Sequence, residues 1–167
     1  MLSVGGNEAR IWESATGKEV AQLKGHASST IQADLSPDGR RVVTALADGT
    51  ARVWDVAGGR QLLVLKGHES SIRSAAYSPE GRRIVTGGED RTARLWDAET
   101  GKEIATLRGH GFAVKEARFA GDGQWVFTRS DTEARLWPVD FLAEARRRKP
   151  RDLTAAERKR FEIDGAP

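Results

Sequence analysis

The chain repeats itself with a period of 42 residues, and this repeat constrains its fold more than any other feature of the sequence. The pair Gly-His begins at positions 25, 67 and 109, and tryptophan recurs at positions 12, 54, 96 and 137. Residues 25–66 align with residues 67–108 without a gap and share 20 identities. Periods of roughly 20–50 residues are typical of arrays in which each repeat is one small unit that stacks on its neighbours.

Each repeat contains four short β-prone segments that are separated by turn sequences. In residues 67–108 these segments are IRSAAYS, RRIVTG, TARLWD and KEIATL, and SPEG is a turn between the first two. Four such segments predict one four-stranded antiparallel sheet. The same signals predict three strands in residues 2–23 and three in residues 112–138, about 14 in all. The predicted fold class is therefore all-β, in small antiparallel sheets.

Composition limits the setting in which the chain works. It has no cysteine, so it can form neither a disulfide nor a thiolate metal site. MLSVGGNEARIW does not read as a secretory signal, and no window reaches the roughly 18 apolar residues of a membrane span. We therefore expect a soluble, cytoplasmic protein that makes no membrane contact. The net charge of +3 lies in residues 141–167, which hold eight basic and five acidic residues, while the remainder is balanced.

The repeated sequences resemble the WD40 repeat. A Gly-His pair, an SPEG-type turn, a turn aspartate and a Trp-Asp ending recur at consistent offsets, most clearly in GH…SPEG…IVTGGEDRTARLWD. The resemblance covers residues 1–138 and implies blades of a β-propeller, each a four-stranded antiparallel sheet. It implies about three and a half blades here, which is an incomplete ring. Residues 139–167 are predicted to form a separate basic, partly helical tail.

Each full repeat returns the same four kinds of side chain: an imidazole, a hydroxyl, a carboxylate and an indole. The sets are His26, Thr44, Asp48 and Trp54; His68, Thr86, Asp90 and Trp96; and His110, Thr128, Asp131 and Trp137. The first three groups are components of nucleophilic catalysis, but an enzyme needs one such set at one pocket, not one in every repeat. The resemblance implies instead a hydrogen-bonded relay from aspartate to indole that ties the strands of a blade together. We therefore predict no catalytic residue.

No other motif indicates a cofactor or a metal. All three histidines already belong to these sets, which leaves no histidine for a metal site. The glycine pairs that begin at positions 5, 58 and 87 lack the spacing of a phosphate-binding loop. In the first, partial unit Ser3 and Trp12 match the hydroxyl and the indole, but Gly6 stands in place of the turn aspartate. That unit is therefore expected to lack the relay. Trp125 is predicted to be a core residue.

An incomplete ring leaves its first and last sheets each with one uncovered face. A face of about 300 Å² forgoes up to ~8 kcal/mol of hydrophobic stabilisation. We expect these faces to be covered, either by further N-terminal blades of a longer protein or by association of chains into a composite ring.

The sequence after Trp137 departs from the repeat, because Pro138 replaces the aspartate and no fourth strand follows. DFLAEARRRK predicts a short helix with Asp140 as its N-cap, and TAAERKRFEI begins with a capping-box pattern. This ending resembles the closing segment of bacterial WD40 proteins. Its arginine and lysine cluster could contact nucleic acid or phosphate, but the interleaved acidic residues favour a solvated helix face.

The resemblance implies a protein-interaction scaffold, because partners dock on the loops of the flat upper face in WD40 proteins. The family's upper-face positions, carried onto this sequence, give these candidates for partner binding: Ser29, Ile31, Ser71, Arg73, Glu89 and Lys115. The three charged candidates are preferred, since a partly desolvated charge can fix a partner's register. The alternatives are a nucleic-acid binder that acts through the tail, and a piece of a larger regulatory protein without a function of its own.

Overall fold

The computed structural model describes residues 1–26 and 28–140, and every helix or strand assigned in that part of the chain is a β-strand. The strands are β1 (Leu2–Gly5), β2 (Glu8–Trp12), β3 (Glu19–Leu23), β4 (Thr30–Leu35), β5 (Arg41–Leu46), β6 (Thr50–Asp55), β7 (Gln61–Lys66), β8 (Ile72–Tyr77), β9 (Arg83–Gly88), β10 (Ala93–Asp97), β11 (Glu103–Leu107), β12 (Glu116–Ala120), β13 (Trp125–Arg129) and β14 (Ala134–Pro138). They form four antiparallel sheets in chain order, which we name sheet 1 (β1–β3), sheet 2 (β4–β7), sheet 3 (β8–β11) and sheet 4 (β12–β14). The predicted all-β class is confirmed. The helices predicted after Asp140 lie outside the described residues.

Sheets 1 and 4 are incomplete in complementary ways. In sheets 2 and 3 the repeated tryptophan lies on the third of four strands, β6 or β10. In sheet 1 it lies on the second strand, β2, and in sheet 4 on the third and last strand, β14. Within the part of the chain that the structure describes, sheet 1 therefore has no counterpart of the first strand and sheet 4 has no counterpart of the fourth.

The core consists of three apolar layers, one between each pair of successive sheets. Its buried members include Leu23, Val42 and Trp54 in the first layer, Val43, Ile72 and Trp96 in the second, and Leu95, Leu107, Val126 and Trp137 in the third. Neighbouring residues of β5 belong to different layers, because Val42 faces sheet 1 and Val43 faces sheet 3. Strands that are covered on both faces carry continuous apolar runs, which is why RVVTAL and RIVTGG show little polar alternation.

Side chains of one sheet also satisfy backbone N–H groups of the next. Gln32 Oε1 on β4 accepts from the N–H of Ala75 on β8 at 2.7 Å. The equivalent residue 42 positions later, Ser74, accepts from the N–H of Ala117 on β12 at 2.8 Å. Each first strand pairs with only one neighbour, so half of its N–H groups need another acceptor. These bonds fix successive sheets against each other.

One face of sheet 4 is covered by no described sheet and is partly apolar. Trp125 and Leu136 are 44% and 61% exposed on it, and the guanidinium of Arg118 lies 4.7 Å from the centre of the Phe127 ring. The prediction that Trp125 is a core residue is therefore wrong. Because side chains alternate along β13, Val126 is buried against sheet 3 and Trp125 points away from it.

No helix among the described residues is long and apolar enough to cross a membrane.

Candidate functional site

Sheet 3 holds a complete chain of hydrogen bonds from a carboxylate to an indole. Asp90 Oδ2 lies 2.8 Å from His68 Nδ1, and His68 Nε2 lies 2.8 Å from Thr86 Oγ1. The indole N–H of Trp96 donates to the same Thr86 oxygen at 2.9 Å. Since an indole can only donate, the hydroxyl donates to Nε2 and Nδ1–H donates to the carboxylate. The chain joins the loop before β8 to β9, to β10 and to the turn between them.

The turn between β9 and β10 fixes the carboxylate of Asp90. Its Oδ1 accepts from the backbone N–H of Thr92 at 3.0 Å and from the Thr92 hydroxyl at 2.8 Å, and Oδ2 accepts from the N–H of Glu69 at 3.1 Å. Burial alone would raise the pKa of the Asp90 carboxyl. The hydrogen bond and charge attraction from His68, with the bonds from Thr92, outweigh burial and hold that pKa well below its usual range. Asp90 is therefore an ionised acceptor at neutral pH.

In sheet 2 the relay ends at the imidazole. His26 Nε2 lies 3.1 Å from Thr44 Oγ1, and the indole N–H of Trp54 donates to that oxygen at 3.0 Å. Asp48 accepts instead from the backbone N–H and the hydroxyl of Thr50. His26 Nδ1 has no hydrogen-bond partner among the described residues. The assignment of Asp48 to the relay is therefore corrected: it stabilises the turn only.

In sheet 4 the same two bonds to the threonine form, but the predicted aspartate is elsewhere. His110 Nε2 lies 2.7 Å from Thr128 Oγ1, and Trp137 donates its indole N–H to that oxygen at 2.8 Å. Asp131 lies at the surface and pairs with Lys115, with 2.5 Å between Oδ1 and Nζ. The assignment of Asp131 to the relay is therefore corrected as well.

Glu133 occupies the place of the carboxylate in sheet 4. Its Oε1 lies 3.3 Å from His110 Nδ1, within ion-pair distance but without an aligned hydrogen bond, and accepts from the N–H of Gly111 at 3.0 Å. Asp90 makes the equivalent contact with the N–H that follows its own histidine. The cause is a shorter turn, because 41 residues rather than 42 separate Trp96 from Trp137. That spacing was the signal in the sequence that could have identified Glu133.

Sheet 1 retains only the last link. Trp12 donates its indole N–H to Ser3 Oγ at 2.8 Å. Gly6, at the position of the turn aspartate, has a φ of +57° and offers no side chain.

A glycine accounts for the complete relay in sheet 3. A Cβ atom on Gly88 would lie 2.6 Å from His68 Nδ1 and 2.9 Å from Asp90 Oδ1. The positions 42 residues earlier and later hold Leu46 and Ser130. A side chain at this position competes with the carboxylate for the space beside Nδ1. The aspartate therefore reaches the imidazole only where the position is glycine.

The repeated hydroxyls are inaccessible to a substrate. Thr44, Thr86 and Thr128 are 0% exposed, and the side chains of His68 and His110 are also fully buried. A nucleophile must contact its substrate, and these groups contact only their own sheet and the one beside it. Across residues 1–26 and 28–140, no group of three or more His, Asp or Glu side chains could hold a metal ion.

Burial of two imidazoles makes stability depend on pH. Desolvation lowers the pKa of His26, helped by the charge of Arg52, and desolvation lowers the pKa of His110 despite the attraction of Glu133. A folded pKa below the unfolded value of about 6.5 means that the unfolded state binds more protons. The free energy of unfolding should therefore fall as the pH drops from 7 to 5. Urea unfolding across this range measures it, and a flat profile would contradict the neutral, buried state of both rings.

The six candidates for partner binding lie at one end of the sheets. We name this end the upper rim: the loops before β4, β8 and β12, and the turns β5–β6, β9–β10 and β13–β14. Backbone bonds from Ala47 N–H to Ser29 O, 3.0 Å, and from Glu89 N–H to Ser71 O, 2.9 Å, join each loop to its turn. The Ser71 hydroxyl also donates to the carbonyl of Ala47 at 3.0 Å, which links the rims of sheets 2 and 3.

The charged candidates form ion pairs on this rim. Arg73 Nε donates to Glu89 Oε1 at 2.8 Å, and this contact lowers the pKa of the Glu89 carboxyl. Ile31 and Arg73 each occupy a β-bulge, where the register shifts by one residue. A bulge re-aims the side chain at that point of a strand. Together with Lys115 on sheet 4, the rim presents exposed charge on two neighbouring sheets.

Three segments of the chain match the family model described as WD domain, G-beta repeat (WD40), at residues 17–55, 59–97 and 101–138. A comparison with curated proteins gave no significant match. The matched segments cover well over half of the chain, and each ends on the strand that carries a repeated tryptophan. The four antiparallel sheets are consistent with blades of this family. The chain therefore belongs to the WD40 repeat family.

Proposed function

We propose that the chain is a non-catalytic scaffold that binds a protein partner through its upper rim. WD40 repeats generally mediate protein–protein interaction, and domains built from them are typically non-catalytic. The observation that carries the proposal is the burial of every repeated hydroxyl inside its own sheet. The polar groups that could serve chemistry therefore serve the fold, and the exposed charges of the rim are left for recognition.

The rim pairs are suited to recognition because they are inexpensive to rearrange. The side chains of Arg73 and Glu89 are 47% and 33% exposed, and those of Lys115 and Asp131 are 51% and 53% exposed. Ion pairs with this exposure contribute only about 0–1 kcal/mol to stability. A partner that brings its own charges can take over either pair at small cost, which favours a partner surface with both acidic and basic groups.

Replacing Arg73, Glu89 and Lys115 together by alanine should weaken partner binding at least tenfold and leave the melting temperature nearly unchanged. A photo-crosslinking residue at position 73 identifies the partner, and the same residue at exposed Lys102 is the matched control. Lys102 lies in the turn between β10 and β11, at the opposite end of the sheets. Affinity is then measured with the purified partner.

Two results would overturn the proposal. One is crosslinking to the same partner with equal yield from positions 73 and 102. The other is a large loss of stability in the triple variant, because the three residues would then belong to the fold.

A further inference from the structure

The third strands of sheets 3 and 4 have almost the same sequence but different neighbours. β10 reads ARLWD and β14 reads ARLWP, so four consecutive residues are identical. β10 pairs with β11 on its outer side. No described residue pairs with the outer edge of β14, and Ala134, the counterpart of the fully buried Ala93, is exposed.

The strands that cover the third strand in sheets 1, 2 and 3 follow one register. In each pair an alanine of the third strand lies opposite a leucine of the fourth. The pairs are Ala9 with Leu23, Ala51 with Leu65, and Ala93 with Leu107. All three leucines are at most 1% exposed. A leucine opposite the alanine is thus a constant part of this interface.

The same strands meet an arginine of the third strand with an acid or amide at their first residue. The contacts are Arg10 Nη1 to Glu19 Oε2 at 3.3 Å, Arg52 Nη1 to Gln61 Oε1 at 3.0 Å, and Arg94 Nη1 to Glu103 Oε2 at 2.7 Å. The three covering strands therefore share a five-residue pattern: Glu or Gln, an aliphatic residue, Ala or Leu, any residue, then Leu.

In sheet 4 the equivalent arginine has no such strand beside it. Arg135 donates instead to Glu133, two residues away, at 3.0 and 2.7 Å. Its position relative to Ala134 and Trp137 is that of Arg94 relative to Ala93 and Trp96. The edge thus presents the backbone ladder, the alanine and the arginine that a covering strand uses in the other sheets.

The sequence that follows β14 does not encode such a strand. In sheet 3 the turn to the fourth strand depends on Asp97, whose Oδ1 accepts from the backbone N–H groups of residues 99 and 100, and on Gly101 with a φ of +72°. The equivalent positions hold Pro138, which has no carboxylate, and Leu142, which disfavours positive φ. No window of residues 139–167 follows the five-residue pattern.

We propose that the outer edge of β14 binds an extended segment of a partner protein as an added antiparallel strand. The segment has the five-residue pattern of the covering strands, with its leucine opposite Ala134 and its acid or amide at Arg135. Main-chain hydrogen bonds supply affinity, and these two side-chain contacts supply specificity. The site is separate from the upper rim and does not depend on the function proposed there.

The test uses the full chain and a fluorescent peptide of its own sequence, GKEIATLRG, residues 101–109. The peptide should bind, and a Leu107→Lys peptide should bind at least tenfold more weakly. The Arg135→Glu chain should bind the original peptide at least tenfold more weakly and should recover affinity for a Glu103→Arg peptide. On binding, the backbone amides of residues 134–137 should gain protection from hydrogen exchange.

Several results would overturn this proposal. They are no binding to the full chain, equal binding of the Leu107→Lys peptide, no recovery in the charge-reversed pair, or protection that appears away from β14. The triple alanine variant of the upper rim should bind the peptide as the unaltered chain does. A loss of partner binding at the rim and a loss of peptide binding at β14 are therefore distinguishable.

Discussion

Replacing Thr86 by valine should lower the free energy of unfolding by about 2–4 kcal/mol. Valine has nearly the same shape, so packing is retained, but the buried Nε2 of His68 and the indole N–H of Trp96 both lose their hydrogen-bond partner. Each unpaired buried group costs roughly 1–3 kcal/mol. Urea unfolding followed by tryptophan fluorescence measures the loss.

The matched control for this change is Thr86→Ser, which keeps the hydroxyl and removes one methyl group. It should cost only about 1 kcal/mol, the value for a buried carbon. If valine at this position were as stable as serine, the hydroxyl would not hold the two rings, and the structural role assigned to the relay would be wrong.

Replacing Gly88 by alanine should cost about 1–3 kcal/mol, because the added carbon overpacks a filled site. That carbon would lie 2.6 Å from His68 Nδ1, so either the imidazole or the turn that carries Asp90 must move. The variant should also lose the NMR signal of the hydrogen-bonded Nδ1 proton. Sheet 3 would then resemble sheet 2, in which Nδ1 is unpaired.

Gly111→Ala is the control for the Gly88 variant. No atom lies within 4 Å of a Cβ built on Gly111, and its φ is not in the left-handed region. Surface changes of this kind are usually within about 0.5 kcal/mol of neutral. Equal stability of the two variants would show that the space at Gly88 does not decide which sheets complete the relay.

The sequence predicted the strands well because their signals are local and repeated. Turn residues separate the β-prone segments in every unit, and the 42-residue period places equivalent residues in equivalent strands. Trp125 was misplaced because an aromatic residue in a strand was assumed to face inward. Which face it occupies depends on the register of β13, and the first position of that strand points away from sheet 3.

The candidate site was less predictable, because a shared turn motif does not fix where its carboxylate points. Asp48 and Asp90 both bind the threonine two residues later, yet only Asp90 reaches a histidine. The difference lies at Gly88, outside the motif, and becomes apparent only when a carbon is placed there. Glu133 was missed because alignment by residue type favours the aspartate, whereas the shorter turn brings the glutamate to the imidazole.

Hydrogen exchange of the indole N–H groups tests the central claim most directly, because the five tryptophans include their own control. Trp54, Trp96 and Trp137 donate to buried threonines and are at most 4% exposed, whereas Trp125 is 44% exposed. We predict that the three buried indoles exchange only when the protein unfolds and that Trp125 exchanges at the rate of a free indole. If the indole protons of Trp54, Trp96 and Trp137 exchanged as fast as that of Trp125, the repeated polar sets would be open to solvent, and their assignment as internal fasteners of the sheets would be contradicted.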